Sequence, residues 1–371
     1  MQARLSKLTD PLIILSLSLL PLLFFWRLIT PYPADQMNIA AGDFGEQYFP
    51  LRAFAAQEWV KGEIPLWNPY LYGGQPALAD IQSGALYPPH ILQAVLLGWG
   101  APLVLGYDVG FPLKALEWQV ILHFSVAAVG AYAFVRYLLL RSGFRIHLAR
   151  SGAVIAALVF TFGGYLTGFP VQQLTILEVS VWLPWILWGL TAAVFRLATT
   201  PGWSLSSQAR MTWLRNVTLS AVAFGLAITA GHPQTVMYIF YLSLAYTLFL
   251  GLNWRQRQER LPRLVWSGGT WFLVVLLGVM LAAAQLVPTL EFISYSVRSN
   301  LSYAAVSSGL PLTELVTMLY PGFFGGSPGY VGIVSLVLVG VALSLSWGKA
   351  AAGWSRQIGQ IIFWSGATLL S

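Results

Sequence analysis

The chain has 371 residues, of which 57% are hydrophobic and only 9% are charged, and its mean hydropathy is +0.68. Soluble domains carry about 25% charged residues, so this composition excludes a soluble globular protein and predicts an integral membrane protein. The net charge of +7 does not indicate a nucleic-acid partner, because the basic residues form short clusters between apolar runs. Cysteine is absent from the sequence, which excludes disulfides, thiol nucleophiles and cysteine-bound zinc.

The first apolar run covers residues 11–29 and is long enough to cross the roughly 30 Å hydrocarbon core of a bilayer. Arg4 and Lys7 precede this run. A signal peptide would have a shorter apolar region followed by small residues, whereas here Phe24-Phe25-Trp26-Arg27 follows the core of the run. We therefore predict an uncleaved first span with a cytoplasmic N-terminus.

Later apolar runs predict an all-α polytopic transmembrane bundle of about 8–9 spans, folded as one domain over residues 1–371. These runs lie at 116–138, 151–169, 174–195, 216–231, 233–252, 265–287, 331–346 and 358–371. The predicted organisation is a first outer loop at 31–115, helical hairpins at 116–287, a second outer loop at 288–330 and last spans at 331–371. Because the final run is short, we expect the sequence to be a piece of a longer protein.

The basic residues are distributed unevenly between the two sides that these spans define. Fifteen of the 20 share the side of the N-terminus, whereas only Asp10 and Glu259 of the 13 acids do so. Basic residues are enriched in the cytoplasmic segments of membrane proteins. We therefore predict a multi-pass protein of the cell membrane whose loops at 31–115 and 288–330 face outward.

The apolar run at 86–106 is interrupted by Pro88, Pro89, Gly98, Gly100 and Pro102. This density of helix breakers favours interfacial or re-entrant structure over a spanning helix. If the run did span, every later loop would change sides and the asymmetry of basic residues would be inverted. We therefore expect short interfacial helices within the first outer loop.

The first outer loop carries the best candidate for a catalytic residue, Asp43. Gln47 lies four residues further on, so both side chains share one face of a helix that begins near Gly42, with Glu46 beside them. A carboxylate in such a loop suits the role of a general base that accepts a proton from a hydroxyl group. Aromatic rings at Trp67, Tyr70, Tyr72 and Tyr87 are suited to stacking on a sugar or on a lipid headgroup.

Six polar residues elsewhere are expected to lie on the same membrane face as Asp43 and to line a cavity at the outer ends of the helices: Gln172, Gln173, Glu178, His232, Gln234 and Gln285. The turn Gly231-His232-Pro233-Gln234 is typical of a tight helical hairpin. Of the outward basic residues Arg52, Lys61, Lys114 and Arg298, we predict that Arg298 contacts phosphate, because arginine binds phosphate through two N–H groups. The candidate substrate-binding residues are Glu46, Gln47, Asn68, Gln75, Asp80, Gln82, His232, Gln285 and Arg298.

No metal site is required by the sequence. Asp43 together with Glu46 or Asp80 would supply oxygen ligands, which suit Mg or Mn. Cofactors therefore stay undetermined.

Several motifs together resemble one family of bacterial membrane proteins. They are Asp43 with Gln47, the block LWNPYLYGGQPALADIQSGALYP at 66–88, FTFGGY at 160–165, WLPWILW at 182–188, AGHPQ at 230–234 and AAAQLVPTLEFISYSVRS at 282–299. In these motifs the chain resembles the YfhO-type membrane proteins, which are in turn similar to the GT-C superfamily of glycosyltransferases. The similarity runs from about Asp43 to the end of the sequence. Relatives continue with further helices and often an additional outer domain.

The resemblance implies an inverting transfer of a hexose from a polyprenyl-phosphate donor to an acceptor of the cell envelope on the outer side of the membrane, with Asp43 as the base. Membrane lipids, the lipid-linked donor and the envelope acceptor would then be the partners. Two other hypotheses stay open: a multi-pass transporter or lipid flippase, and a non-catalytic protein of envelope assembly. Neither inverted repeats nor acids in mid-span are visible to support a transporter.

Overall fold

The computed structural model describes residues 2–39, 42–105, 110–198, 206–252 and 260–300, together with a few single residues between 302 and 341. Over this part of the chain the secondary structure is helical, and Asn68 and Gln75 form an isolated antiparallel bridge. The predicted last spans at 331–371 lie almost entirely outside the described residues.

The main helices are α1 (Gln2–Phe24), α2 (Phe49–Lys61), α3 (Pro88–Leu105), α4 (Leu113–Arg141), α5 (Ile146–Phe162), α6 (Leu174–Ser180), α7 (Leu183–Ala198), α8 (Ser207–Thr229), α9 (Pro233–Leu252), α10 (Arg260–Leu281) and α11 (Ala283–Ser294). Shorter helical turns lie at Trp26–Ile29, Phe44–Tyr48, Ile81–Ser83, Gly164–Thr167, Phe169–Gln172 and Val297–Asn300.

Seven helical stretches of the described chain are long and apolar enough to cross a membrane. They are Pro88–Leu105, Leu113–Arg141, Ile146–Thr167, Leu174–Phe195, Ser207–Thr229, Pro233–Leu252 and Leu261–Leu281. The apolar part of α1, Leu8–Phe24, is shorter than these. The prediction of an all-α polytopic bundle is therefore confirmed.

The prediction that prolines and glycines break the run at 86–106 is wrong, because α3 is continuous over 18 residues. Pro88 and Pro89 occupy its first turn, where a missing N–H costs nothing. Gly98 and Gly100 lie in a π-helical turn, Leu96–Gly100, after which the helix resumes as Ala101–Leu105. A π turn shifts the hydrogen-bond register by one residue, and Pro102 follows at the second position of the resumed helix.

Helix α4 is the element against which α1, α5 and α7 pack. Small side chains allow the close approach, since Ala128 and Ala131 of α4 are buried in one cluster with Ala153 and Ala157 of α5. A second group, α7 to α10, packs beside it. There, a side chain at Gly225 of α8 would meet the backbone of α10, so glycine permits close contact between these helices.

One end of the bundle is held by a carboxylate shared between two arginines. Asp10 of α1 accepts hydrogen bonds from Arg136 Nε (2.9 Å) and Nη2 (2.7 Å) and from Arg150 Nε (3.0 Å) and Nη2 (2.9 Å). Tyr132 also donates to Asp10, at 2.6 Å. This cluster ties α1 to the turn between α4 and α5.

The segment between α1 and α4, here called the first loop, is bonded to the opposite end of α4. Lys114 Nζ donates to the carbonyls of Leu28 (2.9 Å) and Met37 (3.2 Å). Glu117, which is buried, accepts from the backbone N–H of Ile39 at 2.8 Å. The beginning of the loop is therefore fixed to the start of α4.

Candidate functional site

The predicted catalytic residue Asp43 is exposed and immediately precedes the helical turn Phe44–Tyr48. Its carboxylate accepts a hydrogen bond from Gln173 Nε2. The other amide atom of that residue, Gln173 Oε1, accepts from the Tyr48 hydroxyl at 2.8 Å. Because Tyr48 occupies the carbonyl oxygen of the amide, the NH₂ group is directed at Asp43.

Tyr48 is buried in the core beneath this contact, with only 1% of its surface exposed. Its hydroxyl also accepts from Thr175 Oγ1 at 3.3 Å. Burial raises the pKa of Tyr48, and the negative charge of Asp43 raises it further, against the opposing effect of the Thr175 hydrogen bond. Tyr48 therefore remains protonated and serves as a hydrogen-bond donor to Gln173.

Gln173 lies in the break between Phe169–Gln172 and α6. This break follows the glycine-rich segment Gly163–Gly168, where α5 ends and a short helical turn begins. Sequence reasoning placed Gln173 on the same face as Asp43 but did not identify it as a direct partner. Asp43 and Gln173 are 130 positions apart in the sequence, and no local sequence pattern indicates a contact over such a separation.

The remaining predicted amides and acids of the first loop bond mainly to one another. Gln47 Nε2 donates to Gln82 Oε1 at 2.9 Å. Asp80 Oδ1 accepts from the backbone N–H of Gln82 at 3.0 Å and so caps the turn Ile81–Ser83. Gln75 Nε2 lies 3.5 Å from Asp80 Oδ2. These contacts give the loop its shape beside Asp43.

Asn68 and Gln285 were predicted to bind substrate, but both side chains are buried, whereas a ligand-binding side chain must be accessible to the ligand. Asn68 is 2% exposed, pairs with Gln75 through the backbone and accepts from the N–H of Tyr70 at 2.9 Å. Gln285 is fully buried, and its Nε2 donates to the carbonyl of Leu78 at 2.5 Å. Both side chains therefore hold the loop in place.

The hairpin turn between α8 and α9 packs against the first loop at Ile81. Gly231 has φ +97°, and a side chain there would collide with the carbonyl of Ile81. The next residue, His232, caps α9: its Nδ1 accepts from the N–H of Thr235 at 3.2 Å and contacts Thr235 Oγ1 at 2.7 Å. Burial lowers the pKa of His232, so its ring is neutral at pH 7.

Arg52, one of the basic residues predicted on the outer side of the membrane, is buried inside the protein and is not available to a ligand at the surface. Arg52 of α2 and Glu178 of α6 are both fully buried, and Nη2 of Arg52 lies 2.5 Å from Oε2 of Glu178. A side chain at Gly84 would collide with the guanidinium group, and Gly84 itself has φ +58°. This ion pair fixes α2 of the first loop to the helix that follows Gln173.

Beside this pair, Tyr87 is tied to two long helices through its hydroxyl. His123 Nδ1 lies 2.6 Å from the carbonyl of Gln119 and must donate to it, so His123 Nε2 is an acceptor. The Tyr87 hydroxyl therefore donates to His123 Nε2 at 2.6 Å and accepts from Trp182 Nε1 at 3.0 Å. The beginning of α3 is thus attached to α4 and to the junction of α6 and α7.

His90, in the first turn of α3, connects this helix to α2 and α4. Its Nε2 donates to the carbonyl of Arg52 at 3.1 Å, and its Nδ1 accepts from Gln119 Nε2 at 2.9 Å. Within the described residues, Arg52 Nε and Nη1, Glu178 Oε1 and Gln119 Oε1 have no hydrogen-bond partner. Such buried, incompletely bonded groups are costly, so they usually mark a site with a function or a geometric constraint.

Three other basic residues were predicted on the outer side of the membrane. Two of them form ion pairs, and the side chain of the third is outside the described residues. Lys61 pairs with Glu58 at 2.6 Å, and Lys114 pairs with Glu117 at 2.8 Å. The backbone of Arg298 lies in the turn Val297–Asn300, but its side chain is outside the described residues. Glu46 is exposed beside Asp43. The described residues contain no group of three or more acids or histidines that could hold a metal ion.

Comparison of the chain with models of known protein families, with curated proteins and with solved structures found no match in any of the three.

Proposed function

We propose that the protein is a membrane glycosyltransferase that moves a hexose from a polyprenyl-phosphate donor to an acceptor hydroxyl of the cell envelope. The observation that carries this proposal is the exposed Asp43 carboxylate, oriented by Gln173 and Tyr48 at the surface of a polytopic helical bundle. The motif resemblance to YfhO-type proteins supports the same activity.

In this mechanism the acceptor hydroxyl is placed within hydrogen-bond distance of the free part of the Asp43 carboxylate. Asp43 takes the hydroxyl proton while the oxygen attacks the anomeric carbon of the sugar from the side opposite the phosphate. The bond between that carbon and the phosphate oxygen breaks, and its electron pair leaves with the lipid phosphate, so the configuration is inverted. Gln173 keeps the carboxylate aimed outward during the transfer.

The exposed rings at the edge of the loop are the proposed sugar platform. Trp67, Tyr70 and Tyr72 are 57%, 82% and 94% exposed, respectively. Exposed aromatic faces of this kind stack on the apolar faces of pyranose rings. Arg298 remains the proposed contact for the leaving phosphate.

The test is sugar transfer by Asp43→Asn, measured with radiolabelled polyprenyl-phosphate hexose in proteoliposomes. We expect a loss of at least 100-fold, the lower range for a general base, at unchanged thermal stability. Glu63→Gln is the matched control, because Glu63 is an exposed carboxylate at the end of α2. Full transfer by Asp43→Asn would refute the role of Asp43.

A second candidate function, a transporter, is favoured by one observation. Glu178 belongs to the span Leu174–Phe195 and forms a fully buried pair with Arg52, and intramembrane ionisable residues often mark transport pathways. The pair lies near the beginning of that span, where α2 can reach it. Accumulation of labelled substrate inside vesicles without any glycosylated product would favour transport over transfer.

A further inference from the structure

We infer that the turn between α4 and α5 forms a binding surface for the headgroups of anionic phospholipids. This surface, here called the arginine surface, consists of Arg136, Arg141, Arg145 and Arg150 together with Asp10. It lies at the end of α4 remote from the first loop and is independent of the proposed transferase activity.

The first observation is an imbalance of charge that the fold holds in place. Asp10 is the shared partner of Arg136 and Arg150, so one carboxylate faces two guanidinium groups. Both arginines are partly exposed, with 28% and 15% of their side chains accessible. The pairing with Asp10 orders both side chains before any ligand binds, which lowers the entropic cost of binding.

The second observation is that the turn itself adds positive charge and no negative charge. Arg141 ends α4 and Arg145 directly precedes α5, and both are exposed. The sequence from Arg136 to Arg150 contains no aspartate or glutamate. A diester phosphate approaching the turn therefore meets guanidinium groups from both helices.

The third observation identifies a lipid, and not a soluble phosphate, as the ligand. Phe144, Ile146 and Leu148 lie between the arginines and are 39%, 41% and 52% exposed. Apolar side chains interleaved with arginines are typical of a segment at the boundary between headgroups and acyl chains. The arginines would contact the phosphate while these side chains contact the upper part of the acyl chains.

The test uses the full chain in nanodiscs of phosphatidylcholine with increasing phosphatidylglycerol, and native mass spectrometry counts the phosphatidylglycerol retained. Each basic residue near an anionic surface contributes about a factor of five in affinity. We therefore expect the double variant Arg141→Gln/Arg145→Gln to bind phosphatidylglycerol roughly 25-fold more weakly. Since both side chains are exposed, its thermal stability in phosphatidylcholine should stay unchanged.

For Asp10→Asn we expect the opposite change in the retention of phosphatidylglycerol. Removal of the shared carboxylate raises the positive charge of the surface, so phosphatidylglycerol retention should rise about fivefold, while thermal stability in phosphatidylcholine falls. A purely structural cluster would show the loss of stability without the gain in lipid. If Asp10→Asn does not fold, the double arginine variant still decides the question.

Lys61→Gln is the control, because it removes a positive charge within the first loop, at the other end of the bundle. Equal loss of phosphatidylglycerol in this control, or unchanged retention in the double arginine variant, would overturn the inference. Displacement of the lipid by millimolar inorganic phosphate would also overturn it, since it would indicate a site for free phosphate.

Discussion

Gln173 connects Asp43 to the protein core, because its amide donates to the Asp43 carboxylate and accepts from the buried hydroxyl of Tyr48. Tyr48, which donates to Gln173, is buried in the core, whereas Asp43, which accepts from Gln173, is exposed at the surface. An exposed carboxylate at the end of a loop would ordinarily sample several rotamers. Here its position is determined by a side chain whose own orientation is fixed by Tyr48.

Gln173→Glu tests whether Gln173 orients Asp43 through the N–H donor of its amide. The substitution keeps the size of the side chain but places a second carboxylate against Asp43, which repels it. We expect transfer to fall by more than tenfold, whereas Tyr48→Phe, which removes only the orienting hydroxyl, should lower it two- to tenfold, as expected for one hydrogen bond. Steady-state transfer rates in proteoliposomes measure both effects.

Gln172→Glu is the control for the first of these variants. Gln172 is the neighbouring exposed residue and carries the same chemical change. Activity of Gln173→Glu equal to that of Gln172→Glu would show that Gln173 does not position Asp43.

Breaking the buried ion pair from either side should destabilise the protein strongly. Arg52→Met leaves Glu178 as an uncompensated buried charge, and Glu178→Leu leaves Arg52 in the same state, which costs about 3–5 kcal/mol in each case. Because several atoms of the wild-type pair lack partners, the double variant Arg52→Met/Glu178→Leu should recover most of this loss. Fluorescence-detected thermal unfolding in detergent gives the comparison.

Additive losses in the double variant would contradict a direct pair. Conversely, if either single variant has the wild-type unfolding temperature, the pair does not hold the first loop to the bundle.

Gly84→Ala should be more damaging than the same change at other glycines with positive φ. At Gly84 the added methyl group collides with the Arg52 guanidinium, in addition to the strain of φ +58°. Gly62 has φ +80° but open space around it, so Gly62→Ala measures the backbone strain alone, about 1 kcal/mol. Thermal unfolding of both variants separates the two contributions, and equal destabilisation would exclude the collision.

The helical architecture was accessible from the sequence because apolar run length is a local property. The predicted runs at 116–138, 233–252 and 265–287 correspond to α4, α9 and α10. The error at 86–106 has a local cause as well. Counting helix breakers gave the wrong answer because two prolines lie in the first turn of α3 and two glycines in a π turn, where each is tolerated.

The site was predicted only in part, since its geometry depends on contacts between distant segments. Asp43 was chosen from its position in a polar loop, and Gln173 was placed on the same face without being paired with it. Arg52 was counted only among the basic residues of the outer side, and its burial against Glu178 was not predicted. Its partner Glu178 lies 126 positions away, and nothing in either local sequence indicates the pairing.

The pH dependence of stability should contain a contribution from His232. Burial lowers its pKa, so the unfolded chain, with a histidine pKa of about 6.5, binds the proton first as the pH falls. Stability is therefore complete above about pH 6.5 and declines below it. Protonation of Nδ1 also removes the acceptor for the Thr235 N–H, so the cap of α9 is lost with the same proton.

His232→Asn separates this contribution from the rest of the protein, because asparagine is a good helix cap and does not titrate. At about pH 7.5 the variant should unfold near the wild-type temperature, with a difference of about 1 kcal/mol or less. Between that pH and about pH 5 the wild type should lose more stability than the variant, measured by fluorescence-detected unfolding across the pH range. Parallel curves for the two proteins would show that the pKa of His232 is the same in the folded and the unfolded chain. A steeper loss in the variant would contradict the lowered pKa, because only a histidine held neutral by burial makes the wild type the more acid-sensitive of the two.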